Sequence, residues 1–359
     1  MIMPLSAAST SLAEILDEMT AEGAPELTEH LANNALHCFA CGHRCLIKEG
    51  KRGICKVRFN QGGHLRVPVN YVAALQCDPT EKKPFFHVLP GSDTLTFGML
   101  GCDLHCAYCQ NWLTSQTLRD DAAVSTPNVV SPERLVAMAR AYGASMVGSS
   151  YNEPLITAEW AIEVFKQAKP AGFRTAFISN GNATPQVLDY LRPWTDCYKI
   201  DLKSMSDRNY RQLGGVVDNI LDTVKMVQER GFWEEIVTLV IPGFNDSQDE
   251  LKRAAEFIAA VSPDIPWHVT AFHQDYRMKD NANTTAEQLI RACEIGRAAG
   301  LRYVYAGNLP GRVGRWENTF CPTCDELLVE RYGYLIRKVK VTSAGACPSC
   351  GETIPGIWS

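Results

Sequence analysis

Eleven of the fourteen cysteines in this chain fall into three groups whose spacing is typical of metal ligands. The first group is Cys38, Cys41, Cys45 and Cys55, the second is Cys102, Cys106 and Cys109, and the third is Cys321, Cys324, Cys347 and Cys350. The chain opens without the pattern of a secretory signal and has no run of about 18 apolar residues, so we expect a cytoplasmic protein. The cytoplasm keeps thiols reduced, and clustered cysteines there indicate metal sites before disulfides.

The second group is the most specific signal, because its CxxxCxxC spacing follows directly on a predicted strand. Three thiolates on one short loop can bind three irons of a [4Fe-4S] cluster and leave the fourth iron without a protein ligand. An open metal position takes substrate, and the amino and carboxylate groups of S-adenosylmethionine suit it here. Electron transfer from the reduced cluster would then leave a 5′-deoxyadenosyl radical that abstracts hydrogen. The alternative is a zinc site with His105 as fourth ligand, which would strain the loop.

The third group consists of two CxxC pairs, which aim four sulfurs at one point. This pattern predicts a closed, structural zinc site in a C-terminal zinc ribbon. A redox-active CxxC or a rubredoxin-type iron is the alternative. The basic residues between the pairs, which include Arg331 and Arg337, are expected to form a solvated face.

The first group suits either zinc or a second, fully ligated Fe-S cluster that could pass electrons to the first. His37 or His43 could replace one thiol of a zinc site. Neither spacing is decisive, and we favour structural zinc. The isolated thiols are expected to pack as small apolar side chains, and they are Cys77, Cys197 and Cys293.

The elements that must position these groups alternate along the chain from residue 93 onward. Apolar, β-rich runs predict strands at 94–98, 146–150, 174–179, 197–202, 235–241, 267–272 and 302–305. Helical periodicity separates them at 132–142, 158–169, 185–191, 220–230, 248–260 and 285–299. Such alternation predicts an α/β fold with a partial or full parallel (β/α) barrel, and a flat doubly wound sheet is the alternative.

Three domains follow from this pattern. Residues 1–92 form an N-terminal helix and Cys-rich metal-binding domain, residues 93–315 form the barrel, and residues 316–359 form the zinc ribbon. The 359 residues are 46% hydrophobic and 21% charged, which indicates a chain with a sizeable core and excludes wholesale disorder. A net charge of -5 gives no general attraction to nucleic acid or anionic lipid, so we expect neither as a partner.

The second cysteine group and its surroundings resemble a known family. The aromatic Tyr108 before the third cysteine, the Gln110-Asn111-Trp112 that follows, and the alternating elements look like the radical S-adenosylmethionine (radical SAM) superfamily, near its activating enzymes. More narrowly, the chain resembles the AmmeMemoRadiSam system radical SAM enzyme. The shared segments are EGKRGIC at 49–55, DPTEKKP at 78–84, the cysteine loop at 101–112 and IPG at 354–356, so the resemblance covers almost the whole chain.

The resemblance implies roles for polar residues that follow the predicted strands. Asn152 and Glu153 match the strand end that binds the methionyl amino group of the cofactor. Ser179, Asn180 and Asp201, with Lys203, match positions that contact the cofactor or the substrate. Two roles are open for Tyr108, namely contact with the cofactor and packing in the core.

Simpler explanations exist for several of these residues. Asn152 and Glu153 also suit a turn that starts the next helix, and Asp201 with Lys203 also suits an ion pair on one strand face. The catalytic residue is not identified by any motif, and the candidates are His268, His273 and Lys203, with Asn308 as a weaker one. A lone histidine in a strand is more often a core or rim residue.

The resemblance implies an enzyme that cleaves S-adenosylmethionine and abstracts hydrogen from an unidentified substrate, with a small molecule favoured. It also implies a reducing electron donor such as flavodoxin or ferredoxin, and partner proteins of the Memo-like and AMMECR-like types. One alternative is a glycyl-radical-enzyme activase that acts on a protein glycine. An alternative of a different class is a non-catalytic zinc-binding interaction protein.

Overall fold

The computed structural model describes residues 11–359, and its N-terminal part is built from short strands. In chain order the elements there are α1 (Leu12–Glu18), β1 (Thr20–Glu22), β2 (Thr28–His30), β3 (Leu36–Cys38), β4 (Leu46–Ile47), β5 (Phe59–Gln61), β6 (His64–Pro68) and β7 (Tyr71–Val72). They form two antiparallel sheets of three strands, β1-β6-β5 and β2-β3-β4. Sheets this small bury little apolar surface, which is why the segment depends on packing against its neighbours.

The centre of the chain forms one eight-stranded sheet with helices between the strands. In chain order it contains β8 (Ala74–Pro79), β9 (Asp93–Gly98), α2 (Trp112–Ser115), β10 (Asn128–Val129), α3 (Pro132–Ala141), β11 (Met146–Ser149), α4 (Ala158–Ala168), β12 (Arg174–Ser179), α5 (Pro185–Leu191), β13 (Cys197–Asp201), α6 (Asp207–Leu213), α7 (Val217–Glu229), β14 (Trp233–Val240), α8 (Gln248–Val261), β15 (Trp267–Ala271), α9 (Ala286–Ala298) and β16 (Val304–Gly307). The strand β10 lies outside this sheet and pairs with β7.

The strand order of the large sheet distinguishes the two architectures that the sequence allows. The order is β8-β9-β11-β12-β13-β14-β15-β16, with β8 antiparallel to β9 and every other pair parallel. Right-handed crossovers in a strictly sequential order put all the helices on one face, so the sheet curls around the other face. A doubly wound sheet needs a reversal of strand order, which is absent from residues 11–359. Since β8 and β16 do not pair in this part of the chain, the barrel is partial.

The predicted strands and helices of the barrel are all present within a few residues of their predicted bounds. Their local signals explain this agreement: Ser131 and Thr184 accept hydrogen bonds at two helix starts that carry proline at the first position, and Thr285 forms a capping box. The sequence analysis missed α6 and the edge strand β8. The strand β8 lies inside the predicted N-terminal domain, yet it pairs with β9 of the barrel sheet. The barrel sheet therefore includes residues before the predicted boundary at residue 93.

The C-terminal part is a small antiparallel sheet that packs on the barrel. It contains β17 (Thr319–Phe320), β18 (Leu327–Tyr332) and β19 (Leu335–Val339) in that order. Leu328 and Ile354 share an apolar cluster with Phe86, Tyr303 and Tyr305. The ribbon is therefore anchored both to the last barrel strand and to the segment that precedes β9.

Arg331 corrects the expectation of a solvated basic face in the ribbon. Its side chain is only 4% exposed, donates to the carbonyl of Phe86 at 2.7 Å and to Thr319 Oγ1 at 2.8 Å, and lies over the Phe86 ring at 4.2 Å. Phe86 lies 245 residues before Arg331 in the chain, so a local charge pattern could not reveal this burial. Arg337 does lie on the exposed strand face that was expected.

Candidate active site

The three cysteines of the CxxxCxxC loop line one cavity of about 400 Å³ at the carboxyl ends of the barrel strands. The loop leaves β9 through Gly101, whose φ of +90 is a conformation that favours glycine. A side chain there would also approach the carbonyl of Cys55 to 3.1 Å. On the far side, Arg277 donates its backbone N–H to the carbonyl of Ala107 at 2.9 Å, so the loop is held from both flanks.

The thiols of this loop are not gathered at the distance of ligands to one ion. In residues 11–359, only the third cysteine group brings three or more ligand atoms within 4.8 Å of one another. His105 is exposed, does not line the cavity and packs against Gly214, which argues against the zinc alternative. Burial raises the pKa of the Cys106 thiol to about 11, so a metal is needed to hold it as a thiolate.

Glu153, which follows β11, is the best-connected carboxylate of the cavity wall. It accepts hydrogen bonds from Ser179 Oγ at 2.7 Å, from the backbone N–H of Asn180 at 2.7 Å and from that of Leu155 at 3.1 Å. Burial, and then the charge of Asp103, raise the pKa of Glu153 to about 8. The carboxyl group is thus positioned firmly and is protonated over much of the physiological pH range.

Asp103, inside the cysteine loop, is a buried residue that the sequence analysis missed. Its carboxylate accepts from Asn180 Nδ2 at 2.7 Å and from Asn182 Nδ2 at 2.8 Å, and it lies beside the Cys102 thiol. These bonds tie the loop after β9 to the loop after β12. An acidic residue between two cysteines is a usable signal, because a buried carboxylate requires partners.

Asn152 and Tyr108 both line the cavity, and both also make contacts that stabilise the surrounding structure. The Oδ1 of Asn152 accepts from the backbone N–H of Met99 at 3.0 Å, which fixes the entry to the cysteine loop. Tyr108 is 5% exposed and packs edge-on against Phe244 with ring centroids 5.8 Å apart. The two explanations for Tyr108 are therefore compatible, since one ring face packs while the residue borders the cavity.

Asp201, Lys203 and Lys199 form a charged group at the end of β13, and all three line the cavity. Asp201 pairs with Lys199 and, at 3.4 Å, with Lys203. Burial alone would raise the pKa of Asp201, but the charges of the two ammonium groups outweigh it and lower that pKa. The expected ion pair of Asp201 with Lys203 is present and both residues border the cavity, while Lys199 is a residue that the sequence analysis missed.

Of the two histidine candidates, His268 borders the cavity and His273 does not. Nε2 of His268 lies 2.6 Å from Glu235, whose carboxylate also accepts the backbone N–H groups of Phe86 and His87. Burial lowers the pKa of His268, so its imidazole is neutral and donates to Glu235. His273 is exposed, with Nε2 3.0 Å from the side-chain nitrogen of Gln110.

The remaining wall of the cavity comes from outside the predicted barrel. Lys83, beside Asp78 and 3.1 Å from the Tyr151 hydroxyl, lies in the segment between β8 and β9. Tyr334, at the turn between β18 and β19, donates its hydroxyl to Asn308 Oδ1 at 3.1 Å and also borders the cavity. The ribbon hairpin therefore covers part of the barrel mouth.

The third cysteine group has the geometry of a single tetrahedral ion. Sγ of Cys321 lies 3.6 Å from that of Cys350, and Sγ of Cys324 lies 3.7 Å from that of Cys347. All fourteen cysteines are free thiols, so these contacts are not disulfides. The four-cysteine set fits a zinc ribbon.

Comparisons with known proteins agree with this site. The Radical SAM superfamily model matches residues 97–258. An uncharacterised protein of Methanocaldococcus jannaschii is 33% identical over 329 residues, which are 91% of this chain and 97% of that protein. The pyruvate formate-lyase 1-activating enzyme of Escherichia coli is 29% identical over 177 residues, which are 47% of this chain and 69% of that enzyme.

A solved structure is similar over part of the chain. It is a domain of the pyruvate-formate lyase-activating enzyme from Bacteroides vulgatus, with 23% identity and a TM-score of 0.41, covering 46% of this chain and all of that domain. No helix in residues 11–359 has both the length and the apolar character needed to span a bilayer.

A mostly parallel α/β sheet with a three-cysteine loop at the carboxyl ends of its strands defines a class of iron-sulfur enzymes. This chain belongs to the radical SAM superfamily, is a radical SAM enzyme and is related to the pyruvate formate-lyase activating enzymes. The superfamily implies a [4Fe-4S] cluster and S-adenosylmethionine, and the donor set fits both: three thiols face a cavity that also offers a buried carboxyl group. The non-catalytic interaction protein is thereby excluded.

Proposed function

We propose that this enzyme binds a [4Fe-4S] cluster at Cys102, Cys106 and Cys109, and that it activates S-adenosylmethionine to abstract hydrogen from a small molecule. The observation that supports the proposal is the shared cavity, which borders the three thiols and the polar strand ends together. When bound, the cluster supplies the electron that cleaves the sulfonium to a 5′-deoxyadenosyl radical. The steps below concern what the residues of the chain contribute.

Glu153 is the proposed acceptor for the methionyl ammonium of the cofactor. Its carboxyl group borders the cavity, is held by Ser179 and the Asn180 backbone, and is protonated below about pH 8 in the free protein. Arrival of an ammonium group favours the carboxylate, so binding releases the proton. Asn152 and Asn180 position this strand end, and Tyr108 closes the cavity floor against water.

Asp201 and Lys203 are proposed to orient the cofactor or the substrate. The charge of the Lys203 ammonium opposes the burial that raises the pKa of the Cys106 thiol, so it can offset negative charge at the cysteine loop. Lys199 holds Asp201 from the opposite side. His268, which is neutral and directed at Glu235, is the proposed substrate-side polar group, and His273 is a rim residue in this proposal.

A small molecule is the proposed substrate because the ribbon narrows access to the cavity. Tyr334 and Asn308 form a hydrogen bond at the mouth, and Lys83 borders it from the opposite segment. An activase must admit a protein loop that carries the glycine. The contacts at the cavity mouth would obstruct the entry of such a loop. The resemblance to the AmmeMemoRadiSam system supports Memo-like and AMMECR-like partners in the same reaction sequence.

Three further assignments complete the proposal. The third cysteine group holds structural zinc, because its sulfurs already lie at single-ion spacing. A low-potential donor such as flavodoxin or ferredoxin supplies electrons. A cytoplasmic location is proposed because clustered cysteines that bind metals are typical of a reducing compartment.

The test is 5′-deoxyadenosine formation by the anaerobically reconstituted protein with S-adenosylmethionine and dithionite. We expect product from the wild type and from Cys77→Ser, whose half-buried thiol belongs to none of the groups, and none from C102A/C106A/C109A. Equal product from the triple variant would contradict the assignment of the loop.

A second assay tests the activase alternative with pyruvate formate-lyase as the protein substrate. An activase of that protein would install an oxygen-labile glycyl radical in it, visible by electron paramagnetic resonance (EPR). We expect no such radical with this enzyme, while 5′-deoxyadenosine is still formed. A glycyl-radical signal would replace the small-molecule assignment with the activase.

A further inference from the structure

The first cysteine group lies directly behind the catalytic loop and differs in geometry from the zinc-like third group. We propose that Cys38, Cys41, Cys45 and Cys55 bind a second [4Fe-4S] cluster, which relays single electrons to the cluster at the barrel loop. The relay rests on the proposed function for its acceptor, whereas the metal assignment does not. It replaces the structural zinc that sequence spacing alone favoured.

Thiol spacing is the first argument. A single zinc draws four sulfurs to one point, and the third group shows this, with cross-pairs at 3.6 and 3.7 Å. In the described part of the chain, no three ligand atoms of the first group come within 4.8 Å of one another. The loop of Cys102, Cys106 and Cys109 shares this wider spacing, as expected where each thiolate binds a different iron of a cubane.

The four thiols are nevertheless gathered by one set of short loops. The backbone N–H of Cys38 donates to the carbonyl of Cys45 at 3.0 Å, and a side chain on Gly53 would reach the Cys45 sulfur at 3.6 Å. Cys38 and Cys45 also share one apolar cluster, and the backbone N–H of Ile54, the residue before Cys55, donates to the Cys45 sulfur at 3.5 Å. These contacts connect both ends of the first group.

Burial is the second argument. Cys38, Cys41 and Cys55 are 6%, 7% and 4% exposed and Cys45 is half-buried, whereas the third group has two buried thiols, Cys321 and Cys347, and two exposed ones, Cys324 and Cys350. A cluster that cycles between oxidation states is tuned by burial and by hydrogen bonds to its sulfurs.

Arg58 is the third argument, because it donates to a ligand sulfur from the interior of the protein. Its side chain is 1% exposed, with Nε 3.2 Å from the Cys38 sulfur and both terminal nitrogens 2.7 Å from Glu159 oxygens. The backbone N–H of Ile54 donates to the Cys45 sulfur at 3.5 Å. These donors stabilise negative charge on the thiolates, and more so in the reduced state, which carries one more electron.

Contacts between the first cysteine group and the catalytic loop provide a path for electron transfer between the two clusters. Nε2 of His43 lies 3.1 Å from the carbonyl of Asp103, the residue after Cys102. The carbonyl of Cys55 sits against Gly101, the residue before Cys102, and Arg119 bridges the carbonyls of Ile54 and Leu104. At each of these contacts, a single residue connects the first cysteine group to the loop of the second.

The proposed step balances. The reduced second cluster gives one electron to the oxidised cluster of the barrel loop and returns to its oxidised state. A low-potential one-electron donor of the flavodoxin or ferredoxin class then supplies the replacement electron. No proton or group is transferred in this step.

The metal assignment is tested by iron, sulfide and zinc content of the anaerobically reconstituted full chain. We expect about eight iron and eight sulfide ions with one zinc per chain in the wild type and in Cys77→Ser, and about four iron with one zinc in C102A/C106A/C109A. Mössbauer spectra of the variant should show a [4Fe-4S] cluster. Four iron with two zinc in the wild type would overturn the proposal without use of any variant.

The relay is tested by EPR of the fully reduced wild type. Two neighbouring paramagnetic clusters broaden each other, so we expect a broadened signal in the wild type and a sharp one in the triple variant that does not respond to S-adenosylmethionine. A wild-type spectrum equal to the sum of two isolated clusters would overturn the relay. If the variant keeps four iron while the wild type makes no 5′-deoxyadenosine, the proposed function fails and the second cluster stands.

Discussion

The two four-cysteine groups, one on each side of the barrel in the sequence, have the same number of thiols and differ in structure. The third group brings its sulfurs to single-ion distance on an exposed ribbon, where Cys324 and Cys350 face solvent. In the described residues, the first group brings no three ligand atoms within 4.8 Å of one another, and Cys38 lies beside the buried cation of Arg58. The difference teaches that the distance between thiols and the charge beside them, rather than the count of cysteines, separate a structural ion from a redox group.

Loss of the ribbon metal should have the largest effect. Structural zinc contributes about 10–16 kcal/mol of apparent binding free energy to small metal domains at neutral pH, so C321S/C347S should lose zinc and unfold the ribbon. Limited proteolysis within residues 316–359 and zinc content measure this. Iron content should stay at the value of Cys77→Ser, and a parallel loss of iron would show that the two ends are not independent.

The next largest effect is the difference in stability loss between substitutions of the arginines beside the first and the third cysteine group. Arg58→Met leaves Glu159 as a buried unpaired charge, which should cost about 3–5 kcal/mol in the free energy of unfolding. Arg315, which pairs with Asp325 next to Cys324, is half exposed, and Arg315→Met should cost less than about 1 kcal/mol. Denaturant unfolding of both variants measures the two losses in free energy of unfolding. Equal losses would contradict the difference in burial between Arg58 and Arg315.

The barrel site between the two groups should respond to pH through Glu153. The Glu153 pKa is raised to about 8, so the carboxylate that accepts an ammonium is present above that pH and lost below it. Affinity for S-adenosylmethionine should therefore fall about tenfold for each pH unit below 8, as measured by equilibrium dialysis. In Glu153→Gln the affinity should be weaker and flat with pH. An unchanged slope in that variant would assign the titration to another group.

The smallest effect concerns the potential of the proposed second cluster. Arg58→Lys keeps the charge beside Glu159 but removes the N–H donor to Cys38. If that bond is worth about 1 kcal/mol more in the reduced state, the midpoint potential falls by roughly 45 mV. Redox titration followed by EPR in C102A/C106A/C109A, with and without the Arg58 change, measures it. A rise in potential would contradict the role of this donor.

The barrel could be predicted because its information is local. Each strand and helix carries its own periodicity, and parallel strands put their carboxyl ends at one edge, which brought Glu153 and Asp201 to the same cavity. Arg331, Lys83 and Tyr334 could not be predicted in the same way. Their positions depend on contacts between segments far apart in the chain, and on an antiparallel edge strand that has no local signature.

The sequence also left the metal of the first group open for a physical reason. Cysteine spacing limits which thiols can meet, but the distance at which they meet depends on the buried surroundings, here Arg58 and the contact of Cys55 with Gly101. The spacing of the third group left less freedom, because each CxxC turn aims both sulfurs at one point.

The most direct test of the contrast between the groups is anomalous diffraction from anaerobic crystals of the wild type at the iron and zinc edges. We predict iron at Cys38, Cys41, Cys45 and Cys55 and at Cys102, Cys106 and Cys109, with zinc confined to the ribbon. Zinc at the first group, with iron at the barrel loop alone, would contradict the account.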